Sequence, residues 1–432
     1  MASPPPKKLS PLKLSDISGQ FVWGRQTFQF QGSIQMQEQE ERASWRNWLA
    51  VGVLGVGSFA IVTTELAPIG LLTSIAGDLG ESEAKVGLIV TGYAWIAAAG
   101  ALISAMALGQ MPRKPLLVAL MLVLALSSAV AAMTTTFPAL FGARIIGAVA
   151  HGIFWAMIGT LGAQIVPARH VGVATSIIFG GVSAASVLGV PLAGMIGHLD
   201  SWRTAFGCIA ALSFVTAAAI VFSVPRVQAT APVGRKALSA IARDPVFLRI
   251  YGATACAITA HFAAFTYIEP LLSDSLHMPP NTLYALLFAF GVAGLLGNVL
   301  TGVFVDHYLK ALVSGALALM ALCLGGIGLI GAGAGAVIAG ILLVGWGIGV
   351  AAVFVGFQTW ILRAAGDAAL PASAIYVAIF NAAIGTGALL GSIVISFTNL
   401  GGLMMIAAVA LTASLIPVTF LSTPAALQPP RE

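Results

Sequence analysis

Within the apolar stretch from 48 to 76, VTTELAPIGLL (residues 62–72) carries one carboxylate, Glu65. Further on, RIIGAVAHGIFWA and the MIGTLG that follows it set Arg144, His151, Trp155, Gly159 and Gly162 at intervals of 7, 4, 4 and 3, one stripe of a helix at about 3.6 residues per turn. Ionisable groups in apolar segments cost at least ~2.5–3.5 kcal/mol each on insertion scales, so they carry a pathway or a partner. Desolvation raises a carboxyl pKa and a nearby guanidinium lowers it. A Glu65 that meets and leaves Arg144 can therefore take up and release a proton. The alternative is a permanent Glu65–Arg144 pair that only ties two helices together.

The same apolar segments hold Tyr93, Trp95, His261, Tyr267, Glu269, Asn298, Gln358 and Asn381. Imidazole, amide and carboxylate groups bond hydroxyls, while an indole or phenol face packs against the C–H face of a sugar ring. Trp155 is the platform candidate, with His151, Tyr93, His261, Tyr267, Glu269, Gln358 and Asn381 as further substrate contacts. The competing roles are an interface anchor for Trp155, a packed neutral imidazole for His151 and a rim carboxylate for Glu269, beside Pro270 and Asp274.

These residues must be held in a bilayer. Hydrophobic residues make up 59% and charged residues 8% of the 432, with mean hydropathy +0.98. Apolar runs near 48–76, 84–109, 115–135, 138–166, 171–197, 203–223, 249–273, 282–306, 311–331, 334–362, 370–397 and 401–422 are each long enough to cross a membrane. Lipid cannot satisfy free backbone groups, and the runs are too long for barrel strands, so the expected fold is an all-α integral membrane protein with twelve transmembrane helices.

Lys85 and Arg203 are the outer-side cations, and Arg144 lies within helix 4. The other seventeen of the twenty Lys and Arg fall on the side of the termini, which predicts both ends in the cytoplasm. The net charge of +5 thus reports orientation and gives no support for a nucleic-acid partner. Cys208, Cys256 and Cys323 fall within predicted helices, away from an oxidising compartment.

A polar connection splits the chain. The expected divisions are a weakly ordered cytoplasmic tail over 1–46, six helices over 47–223, a linker over 224–248, six helices over 249–423 and a short tail over 424–432. Met36 is a natural start, so residues 1–35 read as an appendage. The halves echo each other: TTELAPIGLLTS and TYIEPLLSDS, GQMPRK and GVFVDHYLK, FGGVSAASVLG and FNAAIGTGALLG. Paired six-helix repeats with a midplane site are a plan of secondary transporters.

The sequence lacks G-x-x-x-x-G-K-[ST], H-E-x-x-H, G-x-S-x-G and clustered Cys/His ligands, so neither ATP, a metal nor a cofactor is expected. A membrane-embedded enzyme or a sensor is the competing class, and the lack of a nucleophile constellation or an appended domain speaks against both.

The chain resembles the major facilitator superfamily over residues 45–423, and within it the twelve-helix drug and sugar proton antiporters. The helix 2–3 loop is similar to the family's G-x-x-x-D-R-x-G-R-K element, keeping Gly109, Arg113 and Lys114 but lacking its Asp; the second-half copy keeps Gly302 and Asp306. Both are implied gating loops. Arg144 stands where the family has its proton-coupling arginine. LGVPLAG, with Gly189, Pro191 and Gly194, resembles the helix 5 antiporter motif, with Val190 separating the usual Gly-Pro pair; followed by SWRTAF, it implies export. TTELAPIGLL, AHGIFW, TAHFAAFTYIEP and FNAAIGTGALLG look like bacterial exporters of arabinose and thiogalactosides. The resemblance implies a monomer in the inner membrane that exchanges protons for small sugars. Related exporters of purine nucleosides and chloramphenicol-like drugs supply the alternative cargo.

Overall fold

The computed structural model describes residues 43–108, 110–167, 170–226, 233–330 and 335–422. Residues 1–42 of the tail expected over 1–46, residue 423, the tail expected over 424–432 and Gly109 lie outside these residues, and of Gly159 and Gly162 only the helical backbone is described. From Ser44 onward the chain forms one compact unit.

The long helices are α1 (Trp45–Gly70), α3 (Glu83–Ala107), α4 (Arg113–Met133), α5 (Phe137–Ile165), α6 (Val171–Leu199), α7 (Trp202–Ser223), α9 (Pro245–Phe265), α10 (Pro280–Leu329), α11 (Ala336–Ala365), α12 (Ala369–Phe397) and α13 (Leu400–Ala413). Shorter ones are α2 (Leu72–Leu79), α8 (Arg235–Arg243) and α14 (Leu415–Thr419). Caps fix where several begin. Ser44, Ser82, Ser201, Asp244 and Asn399 each accept a backbone N–H of the helix that follows, and Pro245 opens α9 where a missing N–H costs nothing. The linker expected over 224–248 therefore contains α8 and the first turn of α9. Its Val233 N–H donates to the Ala105 carbonyl at the end of α3.

Among the described residues eleven helices are long and apolar enough to cross a membrane, one fewer than the sequence predicts. The difference lies in α10. At 50 residues it would reach about 75 Å if straight, against ~30 Å of hydrocarbon. It is not straight. A Cβ on Gly347 of α11 would strike the Phe290 carbonyl, and one on Gly349 would meet the Met320 side chain at 2.6 Å. Phe290 and Met320 are thirty residues apart, about 45 Å along a continuous helix, yet both lie against one turn of α11. The chain therefore reverses between them, and Tyr308, with φ −126° and ψ 29°, is where it leaves helical geometry. The two arms of α10 are separate crossings, which restores twelve.

Internal prolines shape the site. Proline removes its own N–H and crowds the carbonyl four residues before it. Pro270 acts on Thr266, and α9 ends there, giving way to a short turn at Ile268–Pro270 and a wider one over Leu271–Ser275. Pro68 acts on Thr64 within α1.

In the first half α1 packs against α6 and α7, α3 against α5, and α4 against α5 and α7; in the second, α9 packs against α12 and α13, and α10 against α11 and α13. The halves meet along two seams, α3 with α12 and α6 with α10. An even number of crossings puts Ser44 and Leu421 on one side, here the terminal side; the opposite face is the far side.

A clamp on the far side ties the first half together. Arg203 donates to Asp78 Oδ2 at 2.7 Å and to the Thr134 carbonyl at 2.9 and 3.2 Å, and its guanidinium lies 4.3 Å from the Trp202 ring centroid. The hydrogen bond from Arg203 holds the Asp78 carboxyl below its ordinary range. A depressed carboxyl contributes stability above its unfolded pKa, ~3.9, that is lost as pH falls through the folded value. Asp78→Asn is therefore expected to lower the thermal midpoint at pH 7 and to have little effect below pH ~3. Asp78 is 44% exposed, which limits the loss to under about 1 kcal/mol.

Candidate functional site

Glu65 and Arg144 are placed by the proline in TTELAP. Pro68 deprives the Thr64 carbonyl of its helical partner, and Arg144 Nη2 from α5 donates to that oxygen at 2.6 Å. The guanidinium lies between two rings, 4.5 Å from the Tyr93 centroid and 5.3 Å from that of Phe206, and is 1% exposed. Its Nε and Nη1 find no acceptor. It makes no ion pair with Glu65 among the described residues. The close neighbour of Glu65 is instead His151, with Nε2 3.5 Å from Oε2, while Glu65 Oε1 has no donor. In this conformation the permanent Glu65–Arg144 pair is not formed.

A cavity of about 230 Å³ opens beside them. Its polar wall is Glu65 from α1, His151 from α5, Gln358 from α11 and Asn381 from α12; its aromatic wall is Trp155, Phe179, Phe354, Tyr376 and Phe380. Asn381 Nδ2 donates to the Val377 carbonyl at 2.9 Å, which leaves Oδ1 buried without a donor; His151 turns Nε2 toward Glu65 Oε2 at 3.5 Å, longer than an ordinary hydrogen bond. Buried polar atoms are nearly always hydrogen-bonded. Glu65 Oε1 and Asn381 Oδ1 thus face this cavity from opposite halves of the chain with acceptor capacity unused.

Of the residues singled out in the sequence, Glu65, His151, Trp155, Gln358 and Asn381 line this cavity. The others lie elsewhere. Tyr93 is packed beneath Arg144 and edge-on to His151, 5.4 Å between centroids. His261 is buried among Phe262, Phe265 and Phe354, and its Nδ1 accepts from Trp346 Nε1 at 3.1 Å. Tyr267 donates its hydroxyl to the Ala388 carbonyl at 3.1 Å. Glu269 accepts from Thr73 N at 3.0 Å and Thr73 Oγ1 at 2.7 Å, on the far side.

The residues of the implied motifs lie at helix contacts and ends. Gly189 brings α6 against Thr63, Pro191 lies within α6, and Gly194 leaves no room for a Cβ between the Gly70 carbonyl at 2.6 Å and the Tyr284 ring at 2.5 Å. Arg113 is buried at the start of α4. Gly302 is exposed, and Asp306 pairs with Arg363, which also donates to the carbonyls of Asp306 and Val305. Sequence reasoning missed Arg363 and, Trp155 apart, the aromatic wall. An arginine in the last turn of an apolar helix was the available signal for the first; four rings among the chain's 22 Phe and 6 Tyr gave none for the second.

The far-side ends of the halves are joined by Thr73 with Glu269, by Ser392 Oγ donating to the Ala84 carbonyl at 2.8 Å, and by Tyr284 against Gly194. Nearer mid-depth, Trp95 Nε1 donates to Thr386 Oγ1 at 3.3 Å. The conformation is closed on the far side.

Twelve crossings around a buried, partly polar cavity define a membrane transporter. The chain belongs to the Major Facilitator Superfamily, whose sequence model matches residues 52–370. Its members are transporters, so this protein moves a solute across a membrane and is not an enzyme. The crystal structure of the human organic anion transporter MFSD10 (TETRAN) shares the fold, with a TM-score of 0.63, 17% identity, and coverage of 86% of this chain and 99% of that one.

Proposed function

We propose that the protein exports small sugars, such as arabinose or thiogalactosides, in exchange for protons, with both termini in the cytoplasm of a bacterium and the chain in its inner membrane. The halves over 47–223 and 249–423 rock about the cavity as a monomer, opening it to each side in turn. The observation that carries this reading is the pairing of the open acceptors Glu65 Oε1 and Asn381 Oδ1, with His151 beside them, and an aromatic wall in about 230 Å³. Carboxylate and amide oxygens need donors, and a polyol brings several. The volume lies below the ~300 Å³ at which drug-sized sites begin, which favours a small solute over a chloramphenicol-like drug or a nucleoside.

Glu65 has two uses in this scheme. Ionised, it accepts a sugar hydroxyl; protonated, it needs no cargo, so proton and sugar take turns on it. Arg144, bonded to the carbonyl of the adjacent Thr64, is the cation that Glu65 meets and leaves as the helices move.

The test is uptake into proteoliposomes under an imposed pH gradient, comparing labelled arabinose, a thiogalactoside, a nucleoside and chloramphenicol. Gradient-driven movement of the sugars alone supports the reading; movement of the nucleoside or the drug alone replaces it. Asn381→Leu keeps the volume and removes the acceptor, and is expected to raise KM for the sugar by five- to tenfold, about 1 kcal/mol, with kcat little changed. Trp155→Ala is expected to raise KM more than Trp155→Phe, whereas an anchoring role would give the two variants equal KM.

A further inference from the structure

The far-side contact between the halves contains more carboxylates than it has protons to bind them with. Thr73 Oγ1 lies 2.7 Å from Glu269 Oε2 and 3.2 Å from Glu83 Oε1. A threonine hydroxyl has one hydrogen to donate. If it goes to Glu269, the contact with Glu83 is a hydrogen bond only when Glu83 is the donor, and an ionised carboxylate donates nothing. The Thr73 backbone N–H, 3.0 Å from the same Glu269 oxygen, favours the charged form of Glu269. Glu83 is thus the member that holds the extra proton. Asp274, which accepts from Ser273 Oγ at 2.8 Å, is a further carboxylate on the second-half side of this contact, and its charge opposes a second negative charge on Glu83.

We infer that the far-side gate closes as a protonated unit with Glu83 as the proton's carrier, so that acidity on that face favours the closed form.

Thr73 and Glu83 belong to the first half, Glu269 and Asp274 to the second, so the proton is held across the line along which the halves part. The other groups facing the cluster leave this sign unchanged. Tyr267 and Tyr284 are neutral phenols, and Lys85, the cation of the same turn, is bound to Glu81 at 2.7 Å. When the halves separate, Glu83 meets water and releases its proton, and Glu83 and Glu269 no longer share the Thr73 hydroxyl. The device is separate from Glu65 and binds no cargo. With the termini in the cytoplasm, as in the reading above, the far side is the exterior, and external acidity resets an exporter to its cargo-loading form.

The test is the separation of spin labels at Gly77→Cys on α2 and Asn281→Cys at the start of α10, in full-length protein with its three cysteines replaced by alanine, in nanodiscs at pH 5 and pH 8. Neither sugar nor gradient is present, so a chain that carries another solute leaves the result unchanged, and failure here leaves sugar–proton exchange standing. The short-distance population is expected to grow toward pH 5, its ratio to the long one changing by up to about tenfold per pH unit. Glu83→Gln, whose amide donates as the protonated acid does, is expected to give the short distance at both values. Asp274→Asn, which keeps Glu83 and removes its charged neighbour, is expected to move the transition to lower pH. A wild-type ratio that ignores pH, a Glu83→Gln protein that keeps the wild-type response, or an unmoved Asp274→Asn transition would each overturn the proposal.

Discussion

Glu65→Gln is expected to abolish gradient-driven accumulation while leaving exchange of labelled for unlabelled sugar in place. A pH difference of about 2 units stores roughly 2.7 kcal/mol per proton, enough to hold about a hundredfold concentration ratio at one proton per solute. The amide cannot ionise, so the variant should bring that ratio close to one. The change is nearly isosteric, and Glu65 Oε1 has no donor in the resting structure, so the fold should not suffer; the thermal midpoint should equal or exceed that of the wild type. Accumulation is read in proteoliposomes with and without a protonophore, and a Glu65→Gln protein that still concentrates sugar removes Glu65 from the coupling step.

The largest structural effect should come from Gly181→Val. A Cβ at this position would strike the Gly55 carbonyl, with Phe59 N at 3.1 Å behind it, while a Cβ on Gly55 would lie 2.9 Å from the Ile177 carbonyl. The two glycines let the α1 and α6 backbones touch where lipid supplies no hydrophobic drive. Backbone atoms cannot swing aside as a flexible side chain can, so the helices must separate at a cost on the order of 3 kcal/mol or more. The expected result is a large fall in thermal midpoint and in folded yield. Gly180→Val is the control: a Cβ on Gly180 meets nothing within 4 Å, and that variant should behave as wild type.

The crossings were legible because each needs about twenty apolar residues, a signal that survives whatever packs beside it. The arms of α10 show its limit. Apolar runs at 282–306 and 311–331 marked two crossings, but nothing in DHYLKAL, residues 306–312, says that helical hydrogen bonding continues almost unbroken through the reversal at Tyr308. For the site, polar and aromatic groups in apolar segments marked ten candidates, and five of them, Glu65, His151, Trp155, Gln358 and Asn381, share one cavity. The same rule could not separate a cavity residue from a packed one. His261 is as costly as His151, yet its bond from Trp346 and three stacked or edge-on phenyl rings satisfy it within the second half. That distinction depends on which helices lie alongside, and a single sequence does not contain it. The Arg144–Thr64 bond could have been found, since Pro68 frees a carbonyl four residues earlier and a buried guanidinium must find an acceptor.

The account rests on proton and sugar alternating at Glu65, and proton release on binding measures that directly. Purified protein in weakly buffered detergent with a pH indicator is mixed with arabinose or a thiogalactoside near neutral pH. The wild type should release up to one proton per sugar bound, with affinity rising as pH is raised, and Glu65→Gln should release none. Sugar binding without proton release, at an affinity that ignores pH, would contradict the account.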